Sequence, residues 1–109
     1  MSIMQELLLK EAIFGLVESG QKTSTLRKGK RDIKCGLLVF KMTENPNIQM
    51  IVNIVNIAYV PYGEISYNEA LKEGYLTVEE LRNVLSRIYG KINDDEIFTF
   101  IEFEKAKHT

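Results

Sequence analysis

The residues best suited to chemistry lie between Gly20 and Arg27, in the segment GQKTSTLR. Lys22 and Arg27 enclose three hydroxyl side chains, just after a glycine of the kind that ends helices. Cations and hydroxyls gathered at one chain reversal suit an anion or a nucleoside, so the segment predicts a small-ligand pocket. Lysine and threonine are also common on exposed strands, and a solvated strand fits the pattern equally well.

The charge distribution points to the same segment. The chain has 109 residues with 14 basic and 15 acidic side chains, a net charge of −1. Between Lys22 and Lys34 there are six bases and one acid, which gives +5 there and −6 in the remainder. A basic segment in an acidic body favours a small or local anionic partner over a general nucleic-acid surface. Neither DNA nor a membrane is expected as a partner.

The elements that must position these residues follow from hydrophobic spacing and turn signals. Capping boxes at Ser66 and Thr77 begin two helices, which Gly74 and Gly90 end. Predicted strands cover 7–9, 23–26, 37–40, 48–60 and 96–104, with a first helix at 10–19 and a basic loop at 27–34. This order is not a strand-helix alternation, so we predict an α+β fold. Its expected form is a small mixed or antiparallel β-barrel with about three helices at its ends.

The length suits a single domain over residues 1–109, whose last residues, 105–109, are expected to form a disordered tail. Cys35 is the single cysteine and no His/Cys cluster has metal-ligand spacing, so neither a disulfide scaffold nor a metal site is predicted. The one histidine, His108, lies in the predicted tail, which argues against a Cys/His dyad. The start of the chain lacks the pattern of a signal peptide, and no stretch reaches the roughly 18 apolar residues of a membrane span. We expect a cytoplasmic protein without a cofactor.

The motif GxKTxTLR at 20–27, the Gly36 turn into an apolar strand and the closing residues IEF at 101–103 resemble the ASCH domain family. The resemblance spans residues 7–104 and implies a PUA-like β-barrel of a kind associated with RNA binding. Leu37 is a departure, because the family often has an acid directly after the turn glycine.

Among ASCH proteins, the chain is similar to small bacterial amidohydrolases that convert N4-acetylcytidine to cytidine and acetate. This similarity implies that Thr25 is the nucleophile, Lys22 the base that activates it and Glu73 the proton shuttle. Amide hydrolysis without a metal needs a nucleophile, a base and a stabiliser of the tetrahedral intermediate, which these residue types supply. Glu64 is a rival for the role of the acid.

Four further residues are candidates for substrate binding. Arg27 has two alternative roles: its charge favours a neutral Lys22, or it holds the ribose or a phosphate. Tyr62, on a Pro-Tyr-Gly turn, either stacks on a base or packs at the rim of the barrel. Lys28 and Lys30 attract phosphate if RNA binds, and otherwise belong to a solvated loop.

One geometric condition applies to the catalytic hypothesis. Lys22 and Thr25 are three positions apart and would point to opposite faces of a regular strand. They share a site only if Lys22 lies on the bend after Gly20. The favoured function is hydrolysis of an N4-acylated cytidine nucleoside, and the alternative is a non-catalytic RNA-binding module. RNA cleavage is a weaker third hypothesis.

Overall fold

The structure is a computed structural model that describes residues 4–106. Within these residues a mixed sheet of five strands packs with three α-helices, which confirms the predicted α+β class. The strands are β1 Gln5–Leu9, β2 Ser24–Lys28, β3 Gly36–Met42, β4 Gln49–Pro61 and β5 Ile97–Lys105. The helices are α1 Glu11–Ser19, α2 Tyr67–Lys72 and α3 Val78–Tyr89, and a 3-10 turn, Tyr62–Glu64, follows β4.

The sheet has the order β1-β3-β4-β5-β2 and curls into half of a barrel. β1 runs parallel to β3, and the other neighbouring pairs are antiparallel. The 13-residue strand β4 pairs with β3 in its first half and with β5 from Val52 onwards. Its register with β5 shifts between Ile54 and Asn56, an irregularity that bends a strand and lets a sheet curl. The curl leaves β1 and β2 as the two edge strands.

Two apolar clusters form the core. In the first, Phe14 of α1 packs among strand residues that include Phe40. In the second, Leu81 and Leu85 of α3 pack with Phe98 of β5. Burial of these side chains supplies the main driving force for folding. The cavity described below is lined by members of both clusters, so it lies between them.

The two later helices begin as their capping residues predict, with one difference. Ser66 and Glu69 form the complete capping box of α2. At α3 the Thr77 hydroxyl accepts a hydrogen bond from the Glu80 amide at 3.1 Å. The Glu80 carboxylate, however, accepts from the amide of Leu76 instead of Thr77. Half of the second predicted capping box therefore forms.

Strand boundaries differ from the predictions where long-range pairing extends a strand. Arg27 and Lys28 pair with Thr99 and Phe98 of β5, so they belong to β2 and not to the predicted basic loop. Lys105 ends β5 opposite Val52, so the strand includes the first residue of the predicted tail. Residues 107–109, which include His108, lie outside the described residues.

Candidate active site

Lys22 and Glu73 form a buried ion pair. Lys22 lies in the turn between α1 and β2, after Gly20 has ended the helix in the left-handed conformation with φ of 87°. Glu73 directly follows α2 and precedes Gly74, whose φ is 94°. The Lys22 Nζ atom is 3.0 Å from Glu73 Oε1, and the two residues are only 5% and 3% exposed. Two charges removed from water in this way depend on each other, because neither has solvent to replace its partner.

Ser24 completes the surroundings of the Glu73 carboxylate. Its fully buried hydroxyl donates to Glu73 Oε2, so both carboxylate oxygens accept a hydrogen bond. The backbone adds a further tie, since the Thr23 amide donates to the Lys72 carbonyl at 2.8 Å. Sequence reasoning missed Ser24, because the predicted strand 23–26 carries three hydroxyl side chains and nothing in its local spacing distinguishes Ser24 from Thr23 and Thr25.

Thr25 lines the same cavity as this pair. The residue is 5% exposed, and among residues 4–106 its hydroxyl takes part in no hydrogen bond. β2 begins at Ser24, so Lys22 lies outside the ladder, and both Lys22 and Thr25 line the cavity. The geometric condition stated for these two residues is met, because the bend after Gly20 removes Lys22 from the alternation of the strand.

The cavity has a volume of about 690 Å³, within the range of small-molecule sites. Its apolar wall combines residues of β1 with residues of α3, among them Leu8, Val84 and Ile88. Its polar wall holds Lys22, Thr25 and Glu73. A flat apolar ring system can therefore lie on one wall while a polar substituent reaches the hydroxyl and the ion pair.

Arg27 and Tyr75 also line the cavity, and burial alters the acidity of both. The Arg27 guanidinium is half-buried and donates to the Leu8 carbonyl at 2.8 Å, across the gap between the two edge strands. Burial is the main cause that lowers the pKa of Arg27 below its ordinary value. Burial first, and then the negative charge of Glu73, raise the pKa of Tyr75 above its ordinary 10.0.

Three of the predicted substrate-binding candidates and the rival acid, Glu64, lie away from the cavity wall. Tyr62 is buried against Phe98, with ring centroids 5.8 Å apart, and belongs to the second core cluster. Glu64 is exposed in the 3-10 turn. Lys28 Nζ is 3.2 Å from Glu96 Oε2, and Lys30 Nζ stands 4.9 Å from the centre of the Tyr59 ring. None of these four lines the cavity that holds Lys22, Thr25 and Glu73.

Over residues 4–106, no group of three or more His, Cys, Asp or Glu side chains is arranged to hold a metal ion. Cys35 is exposed. None of the helices in the same part of the chain is long and apolar enough to cross a membrane.

Comparison with known proteins gives structural neighbours only. No family model matches the chain, and no curated protein matches it. An ASCH domain from Lactobacillus crispatus superposes with a TM-score of 0.68 at 16% identity, over 93% of this chain and 79% of that one. Protein EF3133 from Enterococcus faecalis, of family DUF984, gives 0.70 at 18% identity, over 97% and 82%. The hypothetical protein PH0355 gives 0.66 at 20% identity, over 95% and 100%.

These neighbours show that the chain has the fold of an ASCH domain, as the motif at 20–27 predicts. The predicted PUA-like barrel with three helices is confirmed as a curled half-barrel. Identities of 16% to 20% establish the fold alone. The chemistry must therefore be argued from the side chains of the cavity.

Proposed function

We propose that the protein hydrolyses the N4-acyl group of an acylated cytidine nucleoside, without a metal, in the cavity between α1, β2 and α3. The observation that carries the proposal is that the buried Lys22–Glu73 pair and Thr25, whose hydroxyl is unbonded, line one and the same cavity. A nucleophile, a base and an acid are the groups that amide hydrolysis requires. A cytoplasmic location remains a prediction.

The proposed chemistry starts with a proton shift from Lys22 Nζ to Glu73 Oε1, which their 3.0 Å separation permits. Neutral Lys22 takes the Thr25 hydroxyl proton as Thr25 Oγ1 attacks the acyl carbonyl carbon. Protonated Glu73 gives its proton to N4 as the carbon–nitrogen bond breaks. Cytidine leaves, and the acyl group remains bound to Thr25 Oγ1 as an ester.

With cytidine gone, Lys22 is again protonated and Glu73 is again ionised. Glu73 then takes a proton from water as the water oxygen attacks the ester, and this proton passes to Thr25 Oγ1 as the ester bond breaks. The carboxylic acid leaves, and the Thr25 hydroxyl is restored.

The shape of the cavity supports a nucleoside as the substrate. Leu8, Val84 and Ile88 offer an apolar surface for the face of a pyrimidine. The polar residues of the lining offer Thr25 and the Lys22–Glu73 pair to the exocyclic N4 substituent. The site therefore has one apolar side for the base and one reactive side for the amide.

The test is release of acetate from N4-acetylcytidine. We expect wild-type activity, and in Thr25→Val a fall in kcat of roughly 10⁶, the effect of removing a catalytic nucleophile.

Glu73→Gln should lower kcat/KM by about 10² to 10⁴, the usual contribution of a general acid. Lys22 Nζ and Ser24 Oγ both donate to Glu73, and the amide nitrogen of glutamine cannot accept, so the folding of this variant must be verified. Thr23→Val is the matched control, because the Thr23 side chain is exposed. The substitution removes a long hydroxyl bond to the Lys72 carbonyl, 3.5 Å, and keeps the 2.8 Å backbone bond to the same oxygen.

Circular dichroism and thermal melting establish that each variant is folded before its rate is compared. Absence of acetate release by the wild-type protein at millimolar substrate would refute the proposal. Full activity in a folded Thr25→Val variant would refute the assigned nucleophile.

A second candidate function, RNA binding, is favoured by the exposed cations beside β2. Lys30, Arg31 and Lys34 are exposed, and Lys30 lies over the 44% exposed ring of Tyr59. Aromatic rings with neighbouring cations suit single-stranded bases and phosphates. RNA affinity that falls steeply with salt and is lost in Lys30→Gln/Arg31→Gln would support this function. Salt-independent or absent RNA binding would exclude it.

A further inference from the structure

The cavity wall carries more positive charge than the proposed amide chemistry uses. Four cations and one acid line it, namely Lys10, Lys22, Arg27, Arg87 and Glu73. Lys22 is paired with Glu73. Lys10, Arg27 and Arg87 take part in none of the ion pairs formed among residues 4–106. An excess of three positive charges thus surrounds a cavity in a chain whose net charge is −1.

Arg27 is the most informative of these cations, because it is half-buried as well as unpaired. A guanidinium has five N–H donors, and the Leu8 carbonyl accepts from one of its nitrogens. Removing a charge from water without a counter-charge costs free energy, which an anionic ligand would offset. The lowering of the Arg27 pKa by burial agrees with this cost.

The strand geometry places Arg27 at a useful distance from the reactive group. Thr25 and Arg27 are two positions apart on β2, so both side chains point to the same face, roughly 7 Å apart at Cα. A cytidine whose N4-acyl group meets Thr25 could therefore place its sugar and the substituents of the sugar towards Arg27. Lys10, directly before α1, and Arg87 of α3 line the same cavity.

We infer that the cavity binds a phosphate group at Arg27, with Lys10 and Arg87 adding attraction, so that the substrate is an acylated cytidine mononucleotide and not the free nucleoside. The inference rests on the proposed function for its acyl group, while phosphate binding is independent of it. Arginine suits this role because its planar fork makes paired hydrogen bonds to phosphate oxygens.

The binding test uses unreactive ligands, so it does not depend on catalysis. Calorimetric titration of the wild-type protein with cytidine and with cytidine 5′-monophosphate should give a Kd at least tenfold lower for the nucleotide. Arg27→Gln should remove most of that preference and change the Kd for cytidine less than twofold. Arg27→Lys should retain part of it, since the charge remains but the fork is lost.

Lys91→Gln is the matched control, because Lys91 is exposed, lies just after α3 and does not line the cavity. It removes the same charge and should leave the nucleotide preference unchanged. Equal Kd values for cytidine and its monophosphate would overturn the inference. An equal loss in Lys91→Gln and Arg27→Gln would also overturn it, because the effect would then come from net charge alone.

Two further measurements separate the possible sources of the phosphate. Competition by inorganic phosphate against the nucleotide, lost in Arg27→Gln, supports a phosphate subsite. If an RNA oligonucleotide binds far more tightly than the mononucleotide, and does so through Lys30 and Arg31, the ligand is a polymer. That result would overturn the inference.

Measurements of hydrolysis distinguish the proposed amide hydrolysis from the phosphate subsite. The value of kcat/KM for N4-acetylcytidine 5′-monophosphate should exceed that for N4-acetylcytidine about tenfold in the wild type. If the protein binds the nucleotide more tightly than the nucleoside but releases acetate from neither acetylated ligand, the proposed function is refuted. The phosphate subsite is then still supported. Equal rates together with equal Kd values refute the phosphate subsite and leave the proposed function.

Discussion

At the level of single residues, the Lys22–Glu73 pair loses hydration free energy because both of its charges are buried. Both residues are almost fully buried, and their charges are 3.0 Å apart. The attraction within such a pair is largely cancelled by the loss of hydration, so the pair adds little net stability while each partner depends on the other. Its retention in the cavity wall is consistent with a chemical role.

Removing one partner of this pair should therefore cost more than removing both. We expect Lys22→Met to lower the free energy of unfolding by about 3–5 kcal/mol, because it leaves a buried carboxylate without its cation. The double variant Lys22→Met/Glu73→Leu should regain most of this loss. Urea denaturation at neutral pH measures both values, and strictly additive losses would contradict the interdependence of the pair.

Ser24 gives a smaller prediction of the same kind. Ser24→Ala removes the donor to Glu73 Oε2 and leaves that buried oxygen unsatisfied. The expected loss of stability is about 1–3 kcal/mol. If the proposed function holds, kcat should fall with little change in KM, because Glu73 would be less well oriented. Substitution of the neighbouring exposed Thr23 by valine should leave both quantities near wild type.

At the scale of elements, the site depends on how α2 ends. Glu73 and Gly74 directly follow α2, and Gly74 adopts a left-handed φ of 94° that turns the chain sharply. A Cβ added at Gly74 would also lie 3.4 Å from the Gln21 carbonyl oxygen, next to Lys22. The end of α2 thus packs closely on the turn that carries the base.

Gly74→Ala tests this packing. We expect a loss of about 1–2 kcal/mol in the free energy of unfolding, from the left-handed backbone. Activity should fall further than stability suggests, because Glu73 would move relative to Lys22. Gly15→Ala is the control, since a Cβ in the middle of α1 meets no atom within 4 Å. That substitution should stabilise the protein by roughly 0.5–1 kcal/mol, and equal effects at the two glycines would contradict the argument.

The elements themselves were largely predictable because their signals are local. The C-terminal glycine of α1, the Ser66 capping box and the alternation of β5 each involve residues close in sequence. The extension of β2 to Lys28 was not, because it comes from pairing with Phe98, 70 positions further along. Because of this pairing, Arg27 lies in β2, two positions after Thr25, and not in the predicted loop.

At the scale of the whole molecule, the cavity influences stability at alkaline pH through Tyr75. Its pKa is raised above 10.0, so the folded state holds the phenol proton more tightly than the unfolded chain does. The stability this contributes is fully present below pH 10.0 and is lost as the pH rises through the folded pKa. The direction follows from burial, which disfavours the phenolate, and from the nearby Glu73 charge.

We therefore expect Tyr75→Phe to lose less stability than the wild type when the pH rises above 10.0. Denaturation curves at a series of alkaline pH values measure the difference. Tyr67→Phe, at a ring that is 55% exposed, is the control and should follow the wild-type profile. A Tyr75→Phe profile identical to that of the wild type would show that Tyr75 does not contribute.

Short-range spacing and composition were enough to predict the α+β class, the helix limits, the basic segment and the motif at 20–27. The choice between the two acids for the partner of Lys22 depends on the folded chain. Glu73 is 51 positions away, and Glu64 has the same side-chain chemistry but lies exposed in the 3-10 turn. Of the two roles left open for Tyr62, stacking on a base or packing at the rim of the barrel, packing agrees with its place in the second core cluster. Such choices depend on how the curled sheet brings distant segments together and on which side chains that packing removes from water, and neither is encoded in local spacing.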